Sequence, residues 1–195
     1  MTPPHVVMVS GSLRPGSTSD RVAEWCAREC AAQDARATLF RGTALQFPFY
    51  RPGVSRTHGE VGRFLEALAG ADGVVLISPA YHGTISGLLK NALDYVNDLA
   101  GPRPFLDGRP VGCVAVGAGM PGAVSTLITL RTVSHALRAW PTPLGVTVTE
   151  PSAFEADAGT ADLQCRARMG DLLAQVVAMS RFLGASSVGT APAAT

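Results

Sequence analysis

The chain has 195 residues, 47% hydrophobic and 16% charged, with a formal charge of +1. A fold of that size hides roughly 70% of the surface its unfolded chain exposes, so its core requires neither metals nor disulfides. The balanced charge offers no basic field for nucleic-acid phosphates, and the opening MTPPHVVMVSGS lacks the cationic start and long apolar run of a signal peptide, so a cytoplasmic location is expected.

Apolar runs of strand length alternate with stretches of helical period, the pattern of a parallel α/β fold. His5 to Ser10 reads as a buried strand, Thr18 to Gln33 as a helix and Ala37 to Phe40 as a short strand. A loop rich in Arg, Gly and Pro runs to about Thr57, followed by a helix over His58 to Leu68 and a strand over Gly73 to Ser78. A helix from Ile85 to about Asp98, a strand over Pro110 to Val116, a helix over Gly122 to Arg138 and a strand over Leu144 to Thr149 come next. Ala161 to Leu183 closes a single domain spanning residues 1–184, and the small, polar residues 185–195 are expected to be a disordered tail.

Val111 to Leu130 carries no charge over about the length of a bilayer span. Four glycines and Pro121 divide it into strand, loop and helix start, so no membrane segment is expected. Cys26, Cys30, Cys113 and Cys165 lack metal-ligand spacing and read as reduced, packed thiols. His5, His58 and His135 stand apart from cysteines and carboxylates, so no metal is expected, and Trp25 and Trp140 read as packing residues.

A barrel of eight strand-helix units needs about 250 residues, which leaves a doubly wound five-stranded parallel sheet with helices on both faces. Ligands of such sheets bind beyond the carboxyl ends of the strands, so the loops after strands one, three and four hold the candidate site. The first is GSLRPGSTS, residues 11–19. Its glycines permit tight turns, Ser12, Ser17, Thr18 and Ser19 carry hydroxyls, Arg14 adds a planar cation, and a helix start aims N–H groups at the same point. The triphosphate-binding pattern requires a lysine where Ser17 stands, the dinucleotide pattern G-x-G-x-x-G is absent, and no cysteine is present to serve a phosphatase. A cradle for a terminal monophosphate remains.

The second loop is Pro79, Ala80, Tyr81, His82, Gly83 and Thr84, in which Pro79 and Gly83 set a turn and Tyr81 offers an aromatic wall to a flat ring. His82 is a candidate proton donor or a bystander. The third contains Gly117, Ala118, Gly119 and Met120, small residues that permit close backbone approach, with Met120 either a lid or a core filler.

GSLRPGSTS together with SPAYHGTISGLLKNALDYV resembles the NAD(P)H-dependent FMN reductase family of flavodoxin-like flavoenzymes, over about residues 5–180. The resemblance implies strand order 2-1-3-4-5 and an FMN phosphate held by Ser12, Arg14, Ser17, Thr18 and Ser19. It further implies an isoalloxazine ring lying against residues 79–84, chiefly through backbone, and edged by residues 117–120. The chain departs from the family's frequent Pro-Glu-Tyr-Asn with Pro79-Ala80-Tyr81-His82, and from a common Ile-Pro with Ile85-Ser86. The implied activity is hydride transfer from NADH or NADPH to flavin N5, then onward to free flavin, a quinone, an azo or nitro compound, a partner monooxygenase or a biosynthetic intermediate. The flavin does that chemistry, so no catalytic side chain beyond the candidate His82 is expected. A homodimer or homotetramer is implied, and the apolar face of ISGLLKNALDYV is available either to a partner or to the sheet. The alternatives are a flavodoxin-like electron carrier without nicotinamide activity and a non-redox phosphate-binding module.

Overall fold

The structure is a computed structural model that describes residues 2–53, 58–99, 103–149, 154 and 160–188. Strands β1 (His5–Ser10), β2 (Arg36–Arg41), β3 (Gly73–Pro79), β4 (Pro110–Val116), β5 (Trp140–Pro141) and β6 (Val146–Val148) form one parallel sheet. Its order is β2-β1-β3-β4-β5, with β6 also pairing β4. Helices α1 (Thr18–Ala32), α2 (Gly59–Ala69), α3 (Gly87–Asp94), α4 (Met120–Ala136) and α5 (Thr160–Val188) connect and follow the strands.

Alternation along β1 divides the core into two layers, because successive side chains of a strand point to opposite faces. Val6 and Met8 pack with Val22 and Cys26 of α1 and with Met169 and Leu172 of α5. Val7 and Val9 face the other way, onto Phe64 of α2, Leu89 of α3 and Leu130 of α4. Leu89, Ala92 and Leu93 of α3 belong to this second layer, so the sheet itself buries the apolar face of that helix. Cys26, Cys30 and Cys113 are buried free thiols, and burial pushes Cys30 and Cys113 each up to about 11 and Cys26 in the same direction.

The fifth strand is broken. Trp140–Pro141 pairs with Pro110 and Val111, and Val146–Val148 pairs with Val114 to Val116, where one strand over Leu144 to Thr149 was expected. Pro141 and Pro143 lack the N–H groups that a continuous ladder requires. Between the two segments Thr142 turns its hydroxyl onto the Leu144 carbonyl at 2.8 Å, and the Leu144 N–H donates to Gln175 Oε1 of α5 at 3.0 Å. α4 starts two residues before the expected Gly122, since Pro121 suits the first turn of a helix. α5 continues through residue 188, so the first four residues of the expected tail are helical, and the rest of that tail lies outside the described residues.

At the opposite end of the sheet from the candidate loops, the buried Arg109 donates from Nε to the Ala71 carbonyl at 3.0 Å and from Nη2 to the Ala69 carbonyl at 2.9 Å. It thereby closes the C-terminal end of α2, where carbonyls lack intrahelical partners. Burial holds its pKa below the usual arginine range. Arg109→Leu leaves those carbonyls without a donor and should cost about 2–4 kcal/mol in urea denaturation; a loss under about 1 kcal/mol would show that water replaces the guanidinium.

Candidate active site

β1 ends at Ser10, and the chain leaves the sheet through Gly11, whose N–H donates to the Ile77 carbonyl of β3 at 2.8 Å. A Cβ on Gly11 would stand 2.6 Å from Ser86 Oγ and 2.8 Å from Leu89 Cβ, so only glycine lets the first loop press against the start of α3. The loop then turns at Pro15-Gly16, with Gly16 at φ 63 and the Ser17 N–H donating to the Arg14 carbonyl at 3.1 Å. Ser17 caps α1, its hydroxyl accepting from the Asp20 N–H at 3.2 Å. Arg21 ties the loop from behind, donating to the Gly16 carbonyl at 2.7 Å and to Thr18 Oγ1 at 3.2 Å.

These bonds leave the N–H groups of Thr18 and Ser19 with no acceptor among the described residues. Both residues line a cleft of about 360 Å³, with Ser12, Ser17 and Arg14 beside them. The orphan donors share one cleft with Ser12, Arg14, Ser17 and Ser19 at the positive end of α1, an arrangement suited to an anion. Five cradle residues expected from the sequence therefore lie together.

The far side of the cleft is made by the ends of β3, β4 and β6. Ala80 N–H donates to the Val116 carbonyl at 2.7 Å and Gly117 N–H to the Val148 carbonyl at 2.9 Å, so the sheet ladder continues into both loops. A Cβ on Gly117 would meet that of Ala80 at 3.2 Å, which packs the two loops side by side. Pro79, Ala80, Tyr81, Gly117 and Ala118 line the cleft. So do Val116 and Val148, which the sequence reading did not single out because apolar strand ends carry no chemical signal.

His82, Gly83, Thr84, Gly119 and Met120 stand outside this lining. Tyr81 and Thr84 pair across a tight hairpin, N–H to carbonyl in both directions at 3.1 and 3.2 Å, with His82 at φ 53 and Gly83 at φ 77. Two successive positive φ values are those of the tight hairpin turn that favours Asn-Gly, so His82 stands at a position that an asparagine would suit. Met120 leans across β6, its sulfur 3.6 Å from the Thr147 hydroxyl, and borders a smaller cleft with Gln164 and Arg168. Ser86, where the sequence departs from Ile-Pro, caps α3 by accepting from the Leu89 N–H at 3.1 Å, while its own N–H donates to Ser78 Oγ at 3.0 Å.

The cleft wall contains one charged side chain, Arg14, and no carboxylate or histidine among the described residues. It offers an anion cradle at one end and an apolar shelf edged with backbone at the other. It can hold a phosphorylated ring system, and it has no acid-base pair with which to perform chemistry unaided.

The family model described as NADPH-dependent FMN reductase matches residues 4–152. The FMN-dependent NADPH-azoreductase of Staphylococcus haemolyticus (strain JCSC1435) is 25% identical over 159 residues, covering 79% of this chain and 81% of that protein. The quinone reductase of Escherichia coli (strain K12) is 31% identical over 132 residues, 66% of this chain and 68% of that one. Among solved structures, the flavoenzyme FerB of Paracoccus denitrificans, described as an NAD(P)H:(acceptor) oxidoreductase, superposes with a TM-score of 0.77 at 18% identity, over 92% of this chain and 98% of that one.

The hairpin geometry yields a stability test. His82→Asn should leave Tm unchanged or raise it, and His82→Val should cost about 1–2 kcal/mol because a β-branched residue resists positive φ. Equal stability of the two variants would contradict the left-handed assignment.

Proposed function

The chain belongs to the NADPH-dependent FMN reductase family, and from that membership we propose that its cleft holds FMN while a nicotinamide delivers electrons there. It is an NAD(P)H-dependent oxidoreductase of the FMN reductase type. Bound FMN supplies two-electron redox chemistry that no side chain here can supply.

The observation that carries the reading is the pair of orphan N–H groups at Thr18 and Ser19, set beside Arg14 and facing a wall without carboxylates. A phosphate there would be held by the Thr18 and Ser19 N–H groups and by Arg14, with the hydroxyls of Ser12 and Ser19 as further donors. Ala80, Tyr81, Gly117 and Ala118 would border the flat ring, where small side chains permit close approach; the N–H groups of Ala80, Tyr81 and Gly117 are held by the ladder and the hairpin, which fixes this edge. Tyr81, 53% exposed, gives an aromatic edge at the open side. His82 contributes the turn that positions Tyr81 and no proton. The azoreductase and quinone reductase activities that name the relatives favour azo compounds and quinones as final acceptors.

No helix among the described residues is long and apolar enough to cross a membrane. A second copy of the chain covers the open side of the cleft in this reading. Since the core buries Leu89, Ala92 and Leu93 of α3, we place that copy on α4, which follows the third loop and exposes Met120, Val124 and Ile128 one turn apart. Sedimentation as a single chain would contradict the pairing.

Purified protein with added FMN should oxidise NADPH or NADH, read as loss of the nicotinamide absorbance band, and should do so faster with a quinone or azo dye present. Arg14→Ala should raise the FMN concentration for half-maximal rate about tenfold or more, as expected for a charged hydrogen bond of about 1.5–3 kcal/mol. A protein that binds FMN and leaves both nicotinamides intact would instead be an electron carrier, and one that binds no FMN would be a phosphate-binding module.

A further inference from the structure

A carboxylate lies beneath the anion cradle, and the FMN reading alone gives it no role. Asp20 is the third residue of α1, 3% exposed, and its Oδ1 accepts from the hydroxyl of Ser10 at 2.8 Å. Ser10 is the last residue of β1, buried, and two residues ahead of Ser12 in the cleft wall. The carboxylate is therefore pinned under the loop from both ends, by the hydroxyl at the strand end and by its own N–H on Ser17 Oγ at 3.2 Å.

This placement sets a fixed negative charge within one helical turn of the N–H groups of Thr18 and Ser19. Carboxylates in the first turn of a helix are stabilised by the same positive helix end that attracts an anionic ligand. Asp20 thus takes part of the field that a phosphate would otherwise have to itself, and the two negative charges repel in a setting that water screens poorly. The cations close by have other engagements or line the cleft itself. Arg21 donates to Gly16 and Thr18, Arg41 pairs with Glu24 one turn further along α1, and Arg14 stands on the cleft wall. Among the described residues the side-chain hydrogen bond to the Asp20 carboxylate comes from the neutral Ser10 hydroxyl.

We propose that Asp20 is a specificity-determining residue that weakens the grip of the cradle on the flavin phosphate, so that FMN exchanges as a dissociable ligand rather than remaining resident. The inference rests on the FMN reading and concerns the strength of binding at that same site. Because the effect acts through the phosphate, it spares riboflavin, which carries the same ring and no phosphate.

The test is fluorescence titration of wild type and Asp20→Asn with FMN and, separately, with riboflavin, each at low and high salt. Asn retains an oxygen to accept from Ser10 and removes the charge. The variant should bind FMN about tenfold more tightly, by about 1.4 kcal/mol, a gain that high salt reduces only slightly because Asp20 is buried, with unchanged riboflavin affinity. Asp20→Ser should move FMN affinity the same way, which keeps the test decisive if the amide variant folds poorly. FMN affinity within twofold of wild type in both variants, or equal tightening of riboflavin, overturns the inference while leaving the FMN reading intact. A wild type that binds neither flavin overturns both.

Discussion

Two backbone N–H groups, those of Thr18 and Ser19, have no acceptor among the described residues at the start of α1, and the C-terminal edge of the sheet is organised around them. A buried N–H without a partner costs free energy, so a chain retains one where a ligand or water completes it. Pro15-Gly16 turns the loop, Ser17 caps the helix onto Asp20, and Arg21 braces Gly16 and Thr18 from behind. Each of these bonds satisfies a neighbouring group and leaves the two donors facing the cleft.

The packing beneath gives this arrangement its rigidity. β1, central in the sheet and flanked by β2 and β3, delivers Gly11 to a point where a side chain would strike Ser86 and Leu89. Close approach there locks the first loop to α3, and Ser86 in turn is held by Ser78 at the end of β3. The loops after β3 and β4 are joined by continuing ladder bonds at Ala80 and Gly117. The cleft is thus an extension of the sheet edge rather than a cavity between flexible segments, and preorganised donors of this kind bind without a large reordering cost. A Cβ added at Gly117 would come within 3.2 Å of the Ala80 Cβ, so glycine at that position lets the two loops meet.

The first loop was the most legible part of the sequence, because turn residues, a cap and a cation crowd into nine positions directly after an apolar strand. The strand order followed from the family resemblance, and the two-sided burial of β1 and β3 is written in their unbroken apolar runs. The broken fifth strand was not legible, since Pro141 and Pro143 interrupt a ladder whose position depends on β4 and on a glutamine thirty-one residues further along, in α5. The left-handed backbone at His82 was concealed by a residue that looks chemical. Val116 and Val148 became cleft residues only through the sheet that places them side by side. Asp20 reads in sequence as an ordinary first-turn acid, and its inward contact with Ser10 depends on the three-dimensional path of the loop between them.

Amide hydrogen exchange, followed residue by residue as FMN is added, tests the central claim most directly. The account predicts that exchange slows at Thr18 and Ser19 with FMN and much less with riboflavin, while both flavins slow the amides around Ala80 and Gly117. Exchange at Thr18 and Ser19 that is indifferent to FMN, or slowed equally by riboflavin, would contradict an anion cradle at the start of α1.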